Sequence, residues 1–212
     1  MHMKLNEIIT LPPKGEQLNE VNFKQALAGG TFALGTLLSP QLAQNEPVQV
    51  TAAQQADMDK ASASKRAEMD RVMLANTIMK KYRVSPKLAQ NVASLAQKYE
   101  KSSFPKAEDI LAIAGIESSF IPTAVSKLKD DPAMGLMQVR PEVWNLSPGK
   151  LSRDIEYQIK SGADILHKYY KLLGNAEDAV HAYNVGIGNF RRGNHNIKYV
   201  HKYKNERQRY RS

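Results

Sequence analysis

The sequence predicts an all-α fold, and three observations carry that expectation. Apolar residues recur at three- and four-residue spacing beyond residue 68. Ser85-Pro86 and Gly174 fall where helices would begin and end. No alternating apolar–polar run is convincing as a strand, and no repeated period marks an array.

Taken in order, residues 1–67 read as an N-terminal arm or linker. "LPPKGEQ" and "QNEPVQVTAAQQADMDKASASK" lack the bulky apolar residues a core needs. Within the arm, 24–43 is a signal-like segment, with a weakly apolar run from Ala26 to Leu38 and Ala43 as a candidate cleavage position. Glu7, Glu16 and Glu20 upstream, and Gln41 where a small residue is wanted, favour instead an arm or a short docking helix.

The domain then runs over 68–212. Met69, Val72, Met73 and Met79 fall at helical spacing. After the Ser85-Pro86 start, Leu88, Val92, Leu95 and Tyr99 line a second helix. Phe104-Pro105 opens a third, carrying Ile110, Ile113, Ala114 and Glu117. "SRDIEYQIKSGADILHKYYKLLG" is the clearest helix, with Ile155, Ile159, Gly162, Leu166, Tyr169 and Leu173 on one stripe and Gly174 as its stop. "NAEDAVHAYNVG" is another, capped by Asn175 and ended by Gly186.

The length of 212 residues suits one domain plus an extra segment. A net charge of +9 favours anionic partners: nucleic acid, an anionic membrane or an acidic wall polymer. The cysteine count of 0 excludes disulfides, thiolate zinc sites and Cys nucleophiles. No stretch is long and apolar enough to be a transmembrane segment. His167, His181, His195 and His201 follow no ligand pattern, so no metal and no cofactor is expected. Ser118 and Ser119 have no His/Asp partner pattern, which argues against a serine nucleophile.

One residue breaks the apolar pattern. At about 100° per residue from Ile110, Ile113 falls at about 300°, Ala114 at about 40° and Glu117 at about 340°. The carboxyl of Glu117 therefore faces the protein, unless the helix ends just before it and the side chain escapes to solvent. Burial raises a carboxyl pKa, and an acid kept protonated near neutrality is what glycoside cleavage asks of a general acid.

The surroundings sharpen this. "GIESSFIPTAVS", "AMGLMQVRPEVW" and "AYNVGIGNF" follow one another. Together, over roughly 80–195, they resemble the soluble-lytic-transglycosylase domain, a relative of goose-type lysozyme that cleaves bacterial peptidoglycan. The resemblance implies a lysozyme-like helical domain with Glu117 as its single catalytic acid/base. It implies Ser126, Gln138 and Tyr183 in the sugar cleft with Asn184 beside them, and it adds Met137 and Ser118 as candidate substrate-binding positions. Ser118 is also placed to orient Glu117. Gly135, Gly186 and Gly188 would allow close backbone approach or tight turns. Trp144 would line the cleft or pack between helices, whereas Tyr169 and Tyr170 would pack in the core.

The chain departs from the family in a longer loop, "SKLKDDPAMG", and in Arg140, where Met is usual. Asp130 and Asp131 in that loop keep a hydrolytic alternative open, as in goose-type muramidases, if either holds a water opposite Glu117. Their plainer reading is turn chemistry. A non-catalytic wall-binding or particle component is a further alternative.

The tail "RRGNHNIKYVHKYKNERQRYRS" reads as solvated and basic, a surface for anionic cell-wall polymers. With no nucleic-acid motif beside the charge, no specific nucleic acid is expected. The partner that the resemblance implies is the peptidoglycan glycan strand, met at the cell envelope, periplasmic or secreted, or by a phage virion protein or lysin.

Overall fold

A computed structural model describes residues 51–211. The signal-like segment 24–43 lies outside the described residues. Among those described, the elements in order are α1 (Ala52–Tyr82), α2 (Pro86–Tyr99), α3 (Ala107–Ser118), α4 (Pro141–Trp144), α5 (Pro148–Leu151), α6 (Ile155–Leu173), α7 (Ala176–Val185), α8 (Ile187–Arg191) and α9 (Ile197–Gln208). Among the described residues no strand forms, and the extended pairing is limited to the bridges Val125–Met134 and Met134–Val139. The all-α expectation holds.

The helix starts follow their caps. Ser85 Oγ accepts from Leu88 N–H ahead of Pro86, Asp154 Oδ1 accepts from Tyr157 N–H, and Asn175 Oδ1 accepts from Glu177 N–H. α6 stops at Gly174, whose φ of 73° is the left-handed conformation glycine adopts without strain. α3 is the central helix. Asp109, Ile110, Leu111, Ala112, Ile113, Ala114 and Gly115 are all buried, because a helix apolar on every side is stable only when enclosed. α2, α6 and α9 pack around it.

Two expectations are corrected. The first helix starts at Ala52, not near residue 68, and its buried side chains are Leu74, Ala75 and Ile78 rather than Met69, Val72 and Met73, which are exposed. Local forces explain the early start. Thr51 and Gln54 form a reciprocal capping box, and the residues that follow are rich in good helix formers. The segment still lacks a core face: 52–70 are exposed throughout.

The basic tail is also no solvated appendage. Residues 197–208 form α9, which buries Tyr199, Val200, Tyr203 and Glu206 against the rest of the domain. Its charges decorate an outer face while its tyrosines turn inward.

Candidate active site

Glu117 sits in the last turn of α3. The chain leaves that helix through Ser119 (φ 52°) and Phe120 (φ 59°), two consecutive non-glycine residues in the left-handed region. Such a conformation is costly unless the surroundings hold it. Here Phe120 is buried and packs edge-on against Tyr82 with ring centroids 4.8 Å apart. Ser118 Oγ lies 2.9 Å from Leu136 O and 3.1 Å from Ala114 O. The helix end is thus tied to the following loop, and Glu117 projects into a cleft of about 370 Å³.

That loop is built by hydrogen bonds to its own backbone. Ala133 N–H donates to Ser126 Oγ (2.8 Å), and Ser126 N–H donates to Ala133 O (2.9 Å). Gln138, at φ 48°, is held by its side chain: Nε2 donates to Ala124 O (3.1 Å) and Gly135 O (3.0 Å). Its carboxamide oxygen remains an acceptor. From α6, the buried Gln158 fastens the loop. Its Oε1 accepts from Leu136 N–H (2.9 Å), and its Nε2 donates to Pro122 O (3.0 Å) and Leu151 O (2.8 Å). Gly135 is required there twice over: its φ is +74°, and a Cβ would stand 2.4 Å from Gln158 Cδ.

Glu117, Ser126, Gln138, Tyr183 and Asn184 all line the cleft. Ser118 and Met137, expected as substrate-binding residues, do not. Ser118 is buried and spends its hydroxyl on the backbone. Met137 is buried with its side chain packed at Gly162, and only its carbonyl serves the site, accepting from Tyr183 O–H at 2.7 Å. Gly186 has the expected positive φ of 80°, but Gly188 lies within α8 and meets neither a close neighbour nor a positive φ.

Asp130 and Asp131 do not line the cleft either. Asp131 is buried and engaged elsewhere. Its Oδ1 accepts from Glu142 N–H at the start of α4 (3.1 Å), and Arg140 Nε lies 3.1 Å from its Oδ2. The acid of the longer loop is therefore a structural anchor, and Glu117 is the only carboxylate among the lining residues described. Trp144 lines the cleft and also packs edge-on against Tyr169, with centroids 5.5 Å apart. Tyr169, expected as a core residue, is buried yet reaches the cleft too.

Sequence reasoning missed Tyr199. From α9, its hydroxyl donates to Glu117 Oε1 at 2.5 Å. A signal existed in the four-residue spacing of Tyr199 and Tyr203, but the surrounding lysines made the segment read as a tail. Burial raises the Glu117 pKa above the ordinary carboxyl value, and the Tyr199 hydrogen bond opposes part of that rise. Burial, followed by the Glu117 charge, holds Tyr183 and Tyr199 well above the usual phenol range. Both phenols are neutral donors at any working pH. The cleft thus presents one carboxylic acid inclined to stay protonated, among hydroxyl, amide and aromatic groups suited to sugar.

The family model described as the transglycosylase SLT domain matches residues 94–206, which contain every cleft residue named above. The chain belongs to this family. Among solved structures, the SLT domain here is similar to the 70 kDa soluble lytic transglycosylase from Escherichia coli, with 21% identity over 65% of this chain and 28% of that one and a TM-score of 0.42. A complex of the 70-kDa soluble lytic transglycosylase with bulgecin A gives 22% identity over 76% of this chain and 29% of that one, with a TM-score of 0.41. The chain therefore spans less than a third of the length of either structure. No curated protein matches it. No described helix of the SLT-domain chain is long and apolar enough to cross a membrane.

Proposed function

We propose that the protein is a peptidoglycan lytic transglycosylase that cleaves the β-1,4 bond between N-acetylmuramic acid and N-acetylglucosamine. The observation that carries this reading is Glu117: a carboxyl pushed by burial toward its neutral form, alone among the lining residues in being acidic, and held by Tyr199.

With Oε1 accepting from Tyr199, the proton of the neutral acid resides on Oε2 and is donated to the glycosidic oxygen. As the bond breaks, the muramoyl C1 becomes oxocarbenium-like, and the substrate's own N-acetyl group shields it. Glu117, now a carboxylate, takes the proton from the C6 hydroxyl of the same sugar. O6 closes onto C1, leaving a 1,6-anhydromuramoyl end and consuming no water. One carboxylate suffices for this sequence, whereas the paired-acid glycosidases need a second on the opposite face. Ser126, the Gln138 carboxamide oxygen and Asn184 would bind sugar hydroxyl and acetamido groups, while Tyr199 holds the acid and Tyr183 ties the cleft wall to Met137 O.

The site of action is the bacterial cell wall, reached by a cell-envelope or secreted enzyme or by a phage component. The test is product analysis on purified murein. Wild type should release anhydromuropeptides, and Glu117→Gln should lower that release by at least about a thousandfold, in line with losing both proton transfers. Reducing muramic ends would replace this reading with hydrolysis. Binding without release of either product would replace it with a non-catalytic wall-binding role.

A further inference from the structure

The connection between α8 and α9 carries a side chain that the cleavage chemistry leaves unused. Asn196 stands just before α9, and both ends of its amide are engaged. Its Oδ1 accepts from Tyr199 N–H at 3.1 Å, capping the helix, and its Nδ2 donates to Asn184 Oδ1 at 2.8 Å. The chain beside it is held in place. Asn194 N–H donates to Asn189 O at 3.1 Å, and the His195 ring stacks on Phe190 with centroids 4.6 Å apart and planes 1° apart. The His195 ring also lies 5.1 Å from that of buried His181 on α7.

These contacts settle which way two amides point. A helix N-terminus offers only N–H groups, so the capping atom of Asn196 is its oxygen and the group left for Asn184 is its NH2. An amide NH2 only donates. Asn184 therefore answers with Oδ1 and keeps Nδ2 for the cleft that it lines. Asn184 is thereby fixed as a donor. Gln138 is fixed with the opposite polarity, its Nε2 spent on Ala124 O and Gly135 O and its Oε1 left as an acceptor. A sugar hydroxyl both donates and accepts, so it is indifferent to such a choice. An amide carbonyl oxygen only accepts, and both murein sugars carry one in their acetamido groups.

We infer that Asn196 is a positioning residue that locks Asn184 as a hydrogen-bond donor to an acetamido carbonyl of the glycan. The inference rests on murein as the substrate and adds a residue that sets the polarity of one cleft wall.

The test compares Asn196→Asp with Asn196→Ala, using kcat/KM for murein cleavage whichever sugar end is formed. Aspartate keeps the helix cap but offers Asn184 only acceptors. Asn184 then turns Nδ2 toward the new carboxylate and Oδ1 toward the cleft, where it meets the carbonyl with a second acceptor. Alanine removes the cap and leaves Asn184 free to rotate. Asn196→Ala should lower kcat/KM about two- to fivefold and Asn196→Asp about ten- to thirtyfold. Stability should run the other way: Asn196→Ala should lower Tm by about 2–5 °C, while Asn196→Asp should not lower it. A residue that only caps α9 would reverse the order of activity, with Asn196→Asp close to wild type, and that result overturns the inference. A Tm lower in Asn196→Asp than in Asn196→Ala also overturns it, because the orientation argument starts from the cap. In an Asn184→Ala background, Asn196→Asp should have no further effect on kcat/KM. A loss that persists there belongs to the added charge and overturns the inference while leaving the cleavage reading intact. A wild type that cleaves no murein overturns both.

Discussion

Burial and Tyr199 pull the Glu117 carboxyl in opposite directions, and burial wins. Two consequences can be measured. Tyr199→Phe removes the hydrogen bond that favours the carboxylate, so the Glu117 pKa rises further and the alkaline limb of kcat/KM against pH moves to higher pH. Its kcat should fall about ten- to a hundredfold as the acid loses its anchor. A limb that stays in place would remove Tyr199 from the proton chemistry. The second consequence concerns stability. A carboxyl with a raised folded-state pKa binds its proton more tightly folded than unfolded, so its stabilising share is present at low pH and lost as pH rises through the raised value. Glu117→Gln should therefore raise Tm relative to wild type more at pH 8 than at pH 4 by scanning calorimetry. An equal effect at both would contradict the shift.

At the level of elements, α3 and α9 are joined by a ladder of polar pairs. Tyr199 reaches Glu117, Tyr203 O–H donates to buried Asp109 Oδ1 at 2.6 Å, and Arg207 pairs with both Asp109 and Glu108. Arg211 Nε lies 3.2 Å from Glu108 Oε1. Positions 199, 203 and 207 stand one turn apart in α9, so a single helix face sets the register that places the Tyr199 hydroxyl on the acid. On the other side of α9, buried Glu206 pairs with Lys81 and accepts from Tyr82 O–H at 2.6 Å. Ending the chain after Asn196 would strip Asp109 of Tyr203 and Arg207 and uncover the core, and breaking a buried pair alone costs about 3–5 kcal/mol. Denaturant unfolding of that truncation should lose its cooperative transition. The opposite end behaves differently. A chain beginning at Ala67 lacks only exposed side chains relative to one beginning at Thr51, so the two should differ by no more than about 1 kcal/mol. A larger loss would mean that this region carries structural weight.

Across the molecule, the formal charge of +9 acts at longer range than any single contact. Attraction between a basic protein and an anionic polymer, such as the murein proposed as its substrate, is screened within about 8–10 Å at physiological salt. Co-sedimentation with sacculi should therefore weaken several-fold between about 50 and 500 mM NaCl. Salt-independent sedimentation would show that the cleft alone determines wall binding. Family membership and site geometry agree at this scale, since the matched span of 94–206 contains α3, the 121–140 loop and most of α9.

The sequence alone determined the helical class, the main helix starts and stops, and the inward aim of Glu117, because caps, breakers and helical periodicity are local. It misjudged 52–67 and 197–208 for one reason. Composition was taken as a guide to order, whereas a capping box and good helix formers carry α1 outward, and inward-facing tyrosines dock α9 despite its charge. Only the tertiary structure decided what surrounds the acid. Tyr199 lies 82 residues from Glu117 in the chain, and no local pattern encodes a contact at that distance. Nor could spacing show that Asp131 turns away to hold Arg140 while Ser118 and Met137 turn into the core. In each case the direction a side chain takes is set by the partners that pack against it.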